Sequence, residues 1–317
     1  MVPLILSLLV TVGLAPVVRW VMLRNGVLDV PNHRSSHRLV TARGGGLACS
    51  VGVAAAALAQ QRHGDVPWLA MACVAALALV GFADDLFSLT PSLRLGLQLL
   101  CGAVIGLSFG AGWGLVVAAV VVVPTAVNVV NFVDGINGIT GFTMALWGVT
   151  SFVLGRQHDH AGLALVGAAT AGAAIGFLPW NIPTARIFLG DVGSYLFGGL
   201  VGVGLLMAWQ AGAPIAVAVA PLIVHLFDTA LTIARRARAG APLMTAHREH
   251  IYQRLAGHWS HLRVSLLASS LALAVTAAWA LGGPVLGGFV TIAGLATYAA
   301  LGHLVTRRHT AAKPGVG

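Results

Sequence analysis

The sequence predicts an all-α, polytopic membrane protein, and three observations carry that expectation. Hydrophobic residues make up 58% of the 317 positions, charged residues only 9%, and mean hydropathy is +0.89. So little charge cannot cover a soluble globule of this size. About 20 apolar residues cross a bilayer as a helix, and eleven runs approach that length, at about 2–22, 45–60, 66–83, 95–110, 113–130, 139–155, 161–178, 195–210, 213–233, 264–281 and 285–305. No repeat, low-complexity tract or soluble segment interrupts them, so a single integral membrane domain over 1–317 is expected. The first run lacks a basic lead-in and carries Pro16, which favours a retained helix over a cleaved signal.

Charge then sets the orientation. Alternating sides from an external N-terminus gathers 16 of the 18 Lys and Arg on one face and leaves only Arg62 and Arg156 on the other. The positive-inside rule makes that face cytoplasmic, together with the C-terminus. The net charge of +9 is thereby explained without nucleic acid. Cys49, Cys73 and Cys101 stand singly in apolar runs and read as packing residues.

With nine acidic residues in the chain, each acid near a membrane span is informative, because ionisable groups at membrane depth are costly and mark function. Asp65 and Asp159 sit in polar outer loops and read as solvated charges. Asp84, Asp85, Asp134 and Asp191 fall at cytoplasmic ends of spans, and Asp228 lies inside the ninth.

Each cytoplasmic loop is polar in its own way. The first runs from Asp29 through Pro31-Asn32-His33-Arg34-Ser35-Ser36-His37-Arg38 to Arg43-Gly44-Gly45-Gly46. Its donors and glycines suit an approaching phosphate, although an ordinary positive-inside loop reads the same way. In the second, adjacent Asp84 and Asp85 repel unless a cation or shared proton relieves them. Hard oxygen ligands favour Mg²⁺ or Mn²⁺; the alternative is a helix end that exposes two charges. In the third, Asn128, Asn131 and Asp134 lie at i, i+3 and i+6 on one helix face before Gly135-Ile136-Asn137-Gly138. Coordination of a polar ligand competes there with plain helix-to-helix hydrogen bonding. The fourth is Phe188-Leu189-Gly190-Asp191-Val192-Gly193-Ser194, a carboxylate and a hydroxyl among glycines. The fifth ends in His247-Arg248-Glu249-His250, where neighbouring arginines favour an anion over zinc, or a surface segment at the headgroups. Five such loops on one face suggest phosphoryl chemistry joining a soluble donor to a lipid.

In order along the chain, the motifs PNHRSSH with TARGGG, GFADD, NVVNFVDGINGI, FLGDVGS, FDTALTIARR and HREHIYQRL span about 29–255. They resemble those of the polyprenyl-phosphate N-acetylhexosamine-1-phosphate transferases, glycosyltransferase family 4. The resemblance implies transfer of a sugar 1-phosphate from a UDP-N-acetylhexosamine to undecaprenyl phosphate, releasing UMP, with Mg²⁺ (or Mn²⁺). The site would then face the cytoplasm from a bacterial inner membrane, in a chain that is allowed to form a homodimer. Carried over residue by residue, Asp84, Asp85 and Asp191 are catalytic and hold the metal with Asn131, and Asp84 orients or deprotonates the lipid phosphate. Arg43, Gly44, Asn128, Asn131, Asp134, Asn137, His247, Arg248 and His250 bind substrate. A two-step route through an aspartyl-phosphate is also compatible with these residues.

The chain departs from the family pattern in reading DGIN for DGID, Ala42 for a common proline, and HREHIYQ for a His-rich run. GINGI with HREHIYQRL looks most like the O-antigen-initiating branch. An ion- or proton-coupled transporter is the rival reading; it predicts acids near the midplane, where only Asp228 leans.

Overall fold

The computed structural model describes residues 1–31, 39–60, 66–110, 112–242 and 248–311. It is all-α apart from one small ribbon, and each of the eleven apolar runs coincides with a helical segment. The helices are α1 (Val2–Arg24), α2 (Gly46–Gln60), α3 (Trp68–Phe87), α4 (Pro91–Ser108), α5 (Trp113–Val133), α6 (Ile139–Gln157), α7 (Ala161–Asn181), α8 (Gly190–Gln210), α9 (Ile215–Val219), α10 (Ile223–Arg238), α11 (Ile251–Ala256) and α12 (His261–Ala311). Among the described residues, eight helical stretches are long and apolar enough to cross a membrane, with α9, a 3-10 turn at Ala220–Leu222 and α10 forming one of them. The last two apolar runs lie within α12, which breaks at Gly283 (φ 70°, ψ −168°) just before Pro284. A proline lacks the N–H to continue the ladder, and glycine alone takes that φ without strain.

α7 and α8 form the core, with most of their residues buried. Glycines set how closely the other helices approach α8. A Cβ on Gly81 of α3 would lie 2.2 Å from the Asp191 carbonyl oxygen, and one on Gly46 of α2 would lie 2.2 Å from the Gly193 backbone. Small residues at crossings bring backbones together where no hydrophobic force between helices operates. α8 therefore starts wedged between α2 and α3, which fixes Asp191 in place.

The ribbon was not expected from an all-α reading. Leu28–Asp29 (β1) pairs antiparallel with Thr41–Arg43 (β2), which pairs parallel with Ile187–Phe188 (β3), Arg43 opposite Phe188. Past the paired residues, Gly45 N–H and Gly46 N–H donate to the carbonyls of Phe188 and Leu189, each at 2.8 Å. The first loop is thus stitched to the residues that enter α8. A second, smaller apolar cluster joins α10, α11 and α12 to the end of α5 through Val133, Val224, Tyr252, Leu255 and Tyr298.

Candidate active site

The ends of α3, α5 and α8 and strand β2 meet at one end of the bundle and bring together the acids. The Asp85 side chain is completely buried. Its Oδ1 accepts from Asp191 N–H (3.0 Å) and its Oδ2 from Val192 N–H (3.1 Å). These are orphan donors at the start of α8, so a carboxylate from α3 caps that helix and meets the positive end of its dipole. The Arg43 Nε pairs with Asp85 Oδ1 at 2.6 Å, while its Nη2 donates to Asp191 Oδ1 at 2.9 Å. One guanidinium therefore bridges two carboxylates, a geometry that a fork of donors supplies and an ammonium does not. Burial works against the charge on Arg43, but the carboxylates of Asp191, Asp85 and Asp29 outweigh it and raise the pKa above its ordinary value.

Asp191 is also held by Asn131, whose Nδ2 donates to Asp191 Oδ1 and to Ser194 Oγ, each at 3.0 Å. Asp84, 7% exposed, accepts from Leu89 N–H (2.7 Å) and from Arg94 Nη1 (2.6 Å). Asp134 caps the end of α5, and burial raises its carboxyl to about 8, with the neighbouring charge of Asp191 pushing the same way. Four acids thus share one neighbourhood with two arginines.

Other expected site residues take different places. Asn128 Nδ2 donates to Gln98 Oε1 on α4 (2.6 Å) and to the Pro124 carbonyl (2.8 Å), so it joins two helices. Asn137 is 9% exposed and stitches its loop: its N–H meets His261 Nδ1, its Nδ2 the Pro183 carbonyl, and its carbonyl the Ser265 hydroxyl. Gly44 takes φ +105° between Arg43 and the bonded Gly45. Two of the three glycine N–H groups expected to meet a phosphate are used on β3 and the turn after it. His247 and the segment 32–38 lie outside the described residues. Arg248 is exposed and His250 is buried beside α10.

The sequence reading missed several positioning residues. Arg94 pairs with Asp84 from ten residues away. Asn181 accepts the Gly138 N–H (2.6 Å) and donates to the Ile187 carbonyl (3.3 Å), tying the Gly135–Gly138 turn to β3. The sequence signal for Asn181 was an amide at the polar end of an apolar run, directly after Pro179-Trp180. Asp228 is fully buried and bonded by several donors, a different state from a relay acid at the midplane.

A bundle of apolar helices that ends in clustered acids bridged by a guanidinium defines a polytopic membrane protein with a polar site at one end. Residues 67–209 match glycosyl transferase family 4. The chain is 29% identical over 302 residues to a decaprenyl-phosphate N-acetylglucosaminephosphotransferase of Mycolicibacterium smegmatis, covering 79% of this chain and 74% of the relative. It is 30% identical over 289 residues to the protein of that name in Mycobacterium leprae, covering 75% and 72%. A probable undecaprenyl-phosphate N-acetylglucosaminyl 1-phosphate transferase of Bacillus subtilis is 28% identical over 295 residues, covering 84% and 80%. The chain belongs to glycosyl transferase family 4, as a polyprenyl-phosphate N-acetylhexosamine-1-phosphate transferase, and is a multi-pass bacterial membrane protein.

Proposed function

We propose that this enzyme moves an N-acetylhexosamine 1-phosphate from a UDP-sugar to a polyprenyl phosphate at the cytoplasmic face of the inner membrane. The observation that carries the reading is the group of acids bridged by Arg43 at one end of an apolar bundle, in a chain whose relatives are named for such transfers. An oxygen of the lipid phosphate attacks the β-phosphorus of the donor; the bond to the α,β-bridging oxygen breaks, and UMP leaves with that oxygen. Asp84, flanked by Arg94, orients the attacking phosphate. Arg43 and Arg94 offset charge at the reacting phosphates. Arg248 and His250, with His247, contact the donor. The relatives' names favour N-acetylglucosamine as the sugar, and the spelling of GINGI and HREHIYQRL favours O-antigen initiation. The transporter reading gains no support from any of these relatives.

The residues fit Mg²⁺ (or Mn²⁺) as a substrate-completed site. Among the described residues no three His, Cys, Asp or Glu side chains form a ready cage, and magnesium is commonly held by one or two carboxylates plus substrate phosphates. Asp191 would hold it with the oxygens of Asn131 and Asp84; the oxygens of Asp84 and of Asp85 all accept hydrogen bonds already, but the Asp84 side chain keeps some exposed surface and that of Asp85 keeps none. Bound there, the ion would neutralise charge developing on the diphosphate.

In the test, purified enzyme receives undecaprenyl phosphate, Mg²⁺ and each of several UDP-N-acetylhexosamines, and UMP is measured. UDP-N-acetylglucosamine is expected to give the highest rate. No UMP from any donor, with folded protein, refutes the reading.

A pH dependence follows from Asp134. Burial raises its carboxyl to about 8, which favours the protonated form at neutral pH in the absence of a cation. A nearby cation favours the ionised form and expels the proton, so apparent Mg²⁺ affinity should rise from about pH 6.5 to about pH 8.5 and then level. Cation titrations at stepped pH read this directly, and Asp134→Asn should make the rise smaller. A wild-type affinity that is flat in pH removes Asp134 from the ion's surroundings.

A further inference from the structure

We infer that Asp228 and Tyr298 are positioning residues that fix the donor-contacting strap 248–254 against the acid cluster, a role that rests on the transferase reading above. The Asp228 Oδ1 accepts from Ile251 N–H (2.8 Å), His250 Nδ1 (3.2 Å) and the Thr232 hydroxyl (3.3 Å). Its Oδ2 accepts from Tyr252 N–H (3.0 Å) and the Tyr298 hydroxyl (3.0 Å). Five groups, from α10, from His250 and the first turn of α11, and from α12, surround one carboxylate whose side chain has no exposed surface. Buried charge is tolerated where its lone pairs are met this fully. With its proton on Nδ1, the His250 ring donates to this carboxylate, a contact that fixes the orientation of the ring.

The strap is tied onward to the acids. The Tyr252 hydroxyl donates to the Phe132 carbonyl (3.0 Å) and occupies space beside Gly135, where a Cβ would come within 2.2 Å of it. The next residue back from Phe132 is Asn131, which donates to Asp191. A continuous path therefore runs from Tyr298 in the last helix, through Asp228 and Tyr252, to the residue that orients Asp191. Without Asp228, the N–H groups of Ile251 and Tyr252 at the start of α11 lose their acceptor, because no side chain of the strap itself supplies one to them. Tyr298 lies 70 residues beyond Asp228, and neither belongs to the proposed reacting groups.

The variants Tyr298→Phe and Asp228→Asn test this. Tyr298→Phe removes one donor and little volume, and is expected to raise KM for the UDP-sugar about fivefold, with KM for the polyprenyl phosphate and kcat within about twofold. Asp228→Asn should raise donor KM by more than about tenfold, and combining either variant with His250→Ala should add less than the separate effects predict. Hydrogen exchange of the detergent-solubilised protein supplies a readout independent of activity: amides of 250–254 should exchange faster in both variants, with α7 and α8 unchanged. Donor and acceptor KM rising together, unchanged KM values, or exchange that quickens uniformly across the helices would each overturn the inference. If the wild type releases no UMP, the transferase reading fails, while the exchange pattern still decides whether Asp228 holds the strap.

Discussion

Replacing Asp191 with Asn is expected to lower UMP release by about a hundredfold or more. Its carboxylate is the meeting point of the site: Arg43 and Asn131 both donate to Oδ1, and its side chain is 17% exposed while that of Asp85 is completely covered. It is therefore the acid best placed to reach a soluble ligand while still fixed by the protein. Asparagine keeps the size but turns one acceptor into a donor, facing Arg43 or Asn131, and removes the charge that would attract a cation. Magnesium titration of the variant should show no saturable response near the wild-type concentration. Turnover within about threefold of wild type, in variant protein of normal melting temperature, would place the ion elsewhere.

The second large effect is on stability. Arg43→Met leaves Asp85 buried beside the start of α8 without its cation, and loss of one partner of a buried pair costs about 3–5 kcal/mol. Arg43 itself is a third exposed, so the lower end of that range applies. The variant should melt at a clearly lower temperature in detergent and lose activity. Arg43→Lys should recover little of either, because one ammonium cannot pair with Asp85 and Asp191 in the way Nε and Nη2 do. Adding Asp85→Asn to Arg43→Met should restore part of the melting temperature, through the coupling of neighbouring sites, without restoring turnover. Equal melting temperatures for Arg43→Met and wild type would show that α8 does not depend on this bridge.

The acids and the helices were legible because both depend on local chemistry. An apolar run of the right length forms a helix in a bilayer, since backbone polar groups must be met within the segment. A carboxylate beside such a run stands out at once. What escaped was pairing at a distance. The donors to Asp228 come from Thr232, from three residues 22 to 24 positions on, and from Tyr298, and no periodicity announces them. Asn128 belonged to the same helical stripe as Asn131, but its amide met Gln98 on α4 rather than the acids. The spacing correctly gave a shared face and could not show which neighbouring helix each residue would meet. Glycines misled in another way: Gly45 and Gly46 suggested close approach by a phosphate, whereas their N–H groups meet the carbonyls of Phe188 and Leu189, and Gly46 lets the backbone of α2 approach that of α8. Strands of two or three residues are too short to leave an alternating pattern, so the ribbon was invisible.

That ribbon bears on how the protein is made. Arg43 leaves the ribosome long before Ile187, yet β2 finds its parallel partner only in β3, and Arg43 finds Asp191 only four residues after Ile187. Until then the nascent chain carries Arg43 with Asp85 but without the start of α8 that Asp85 caps. Asp228 and Tyr298 emerge later still. Synthesis therefore delivers the reacting acids before the helix that anchors the strap, and stalling the chain between 210 and 298 would leave a membrane-inserted bundle with its acids assembled and its donor strap not yet fastened.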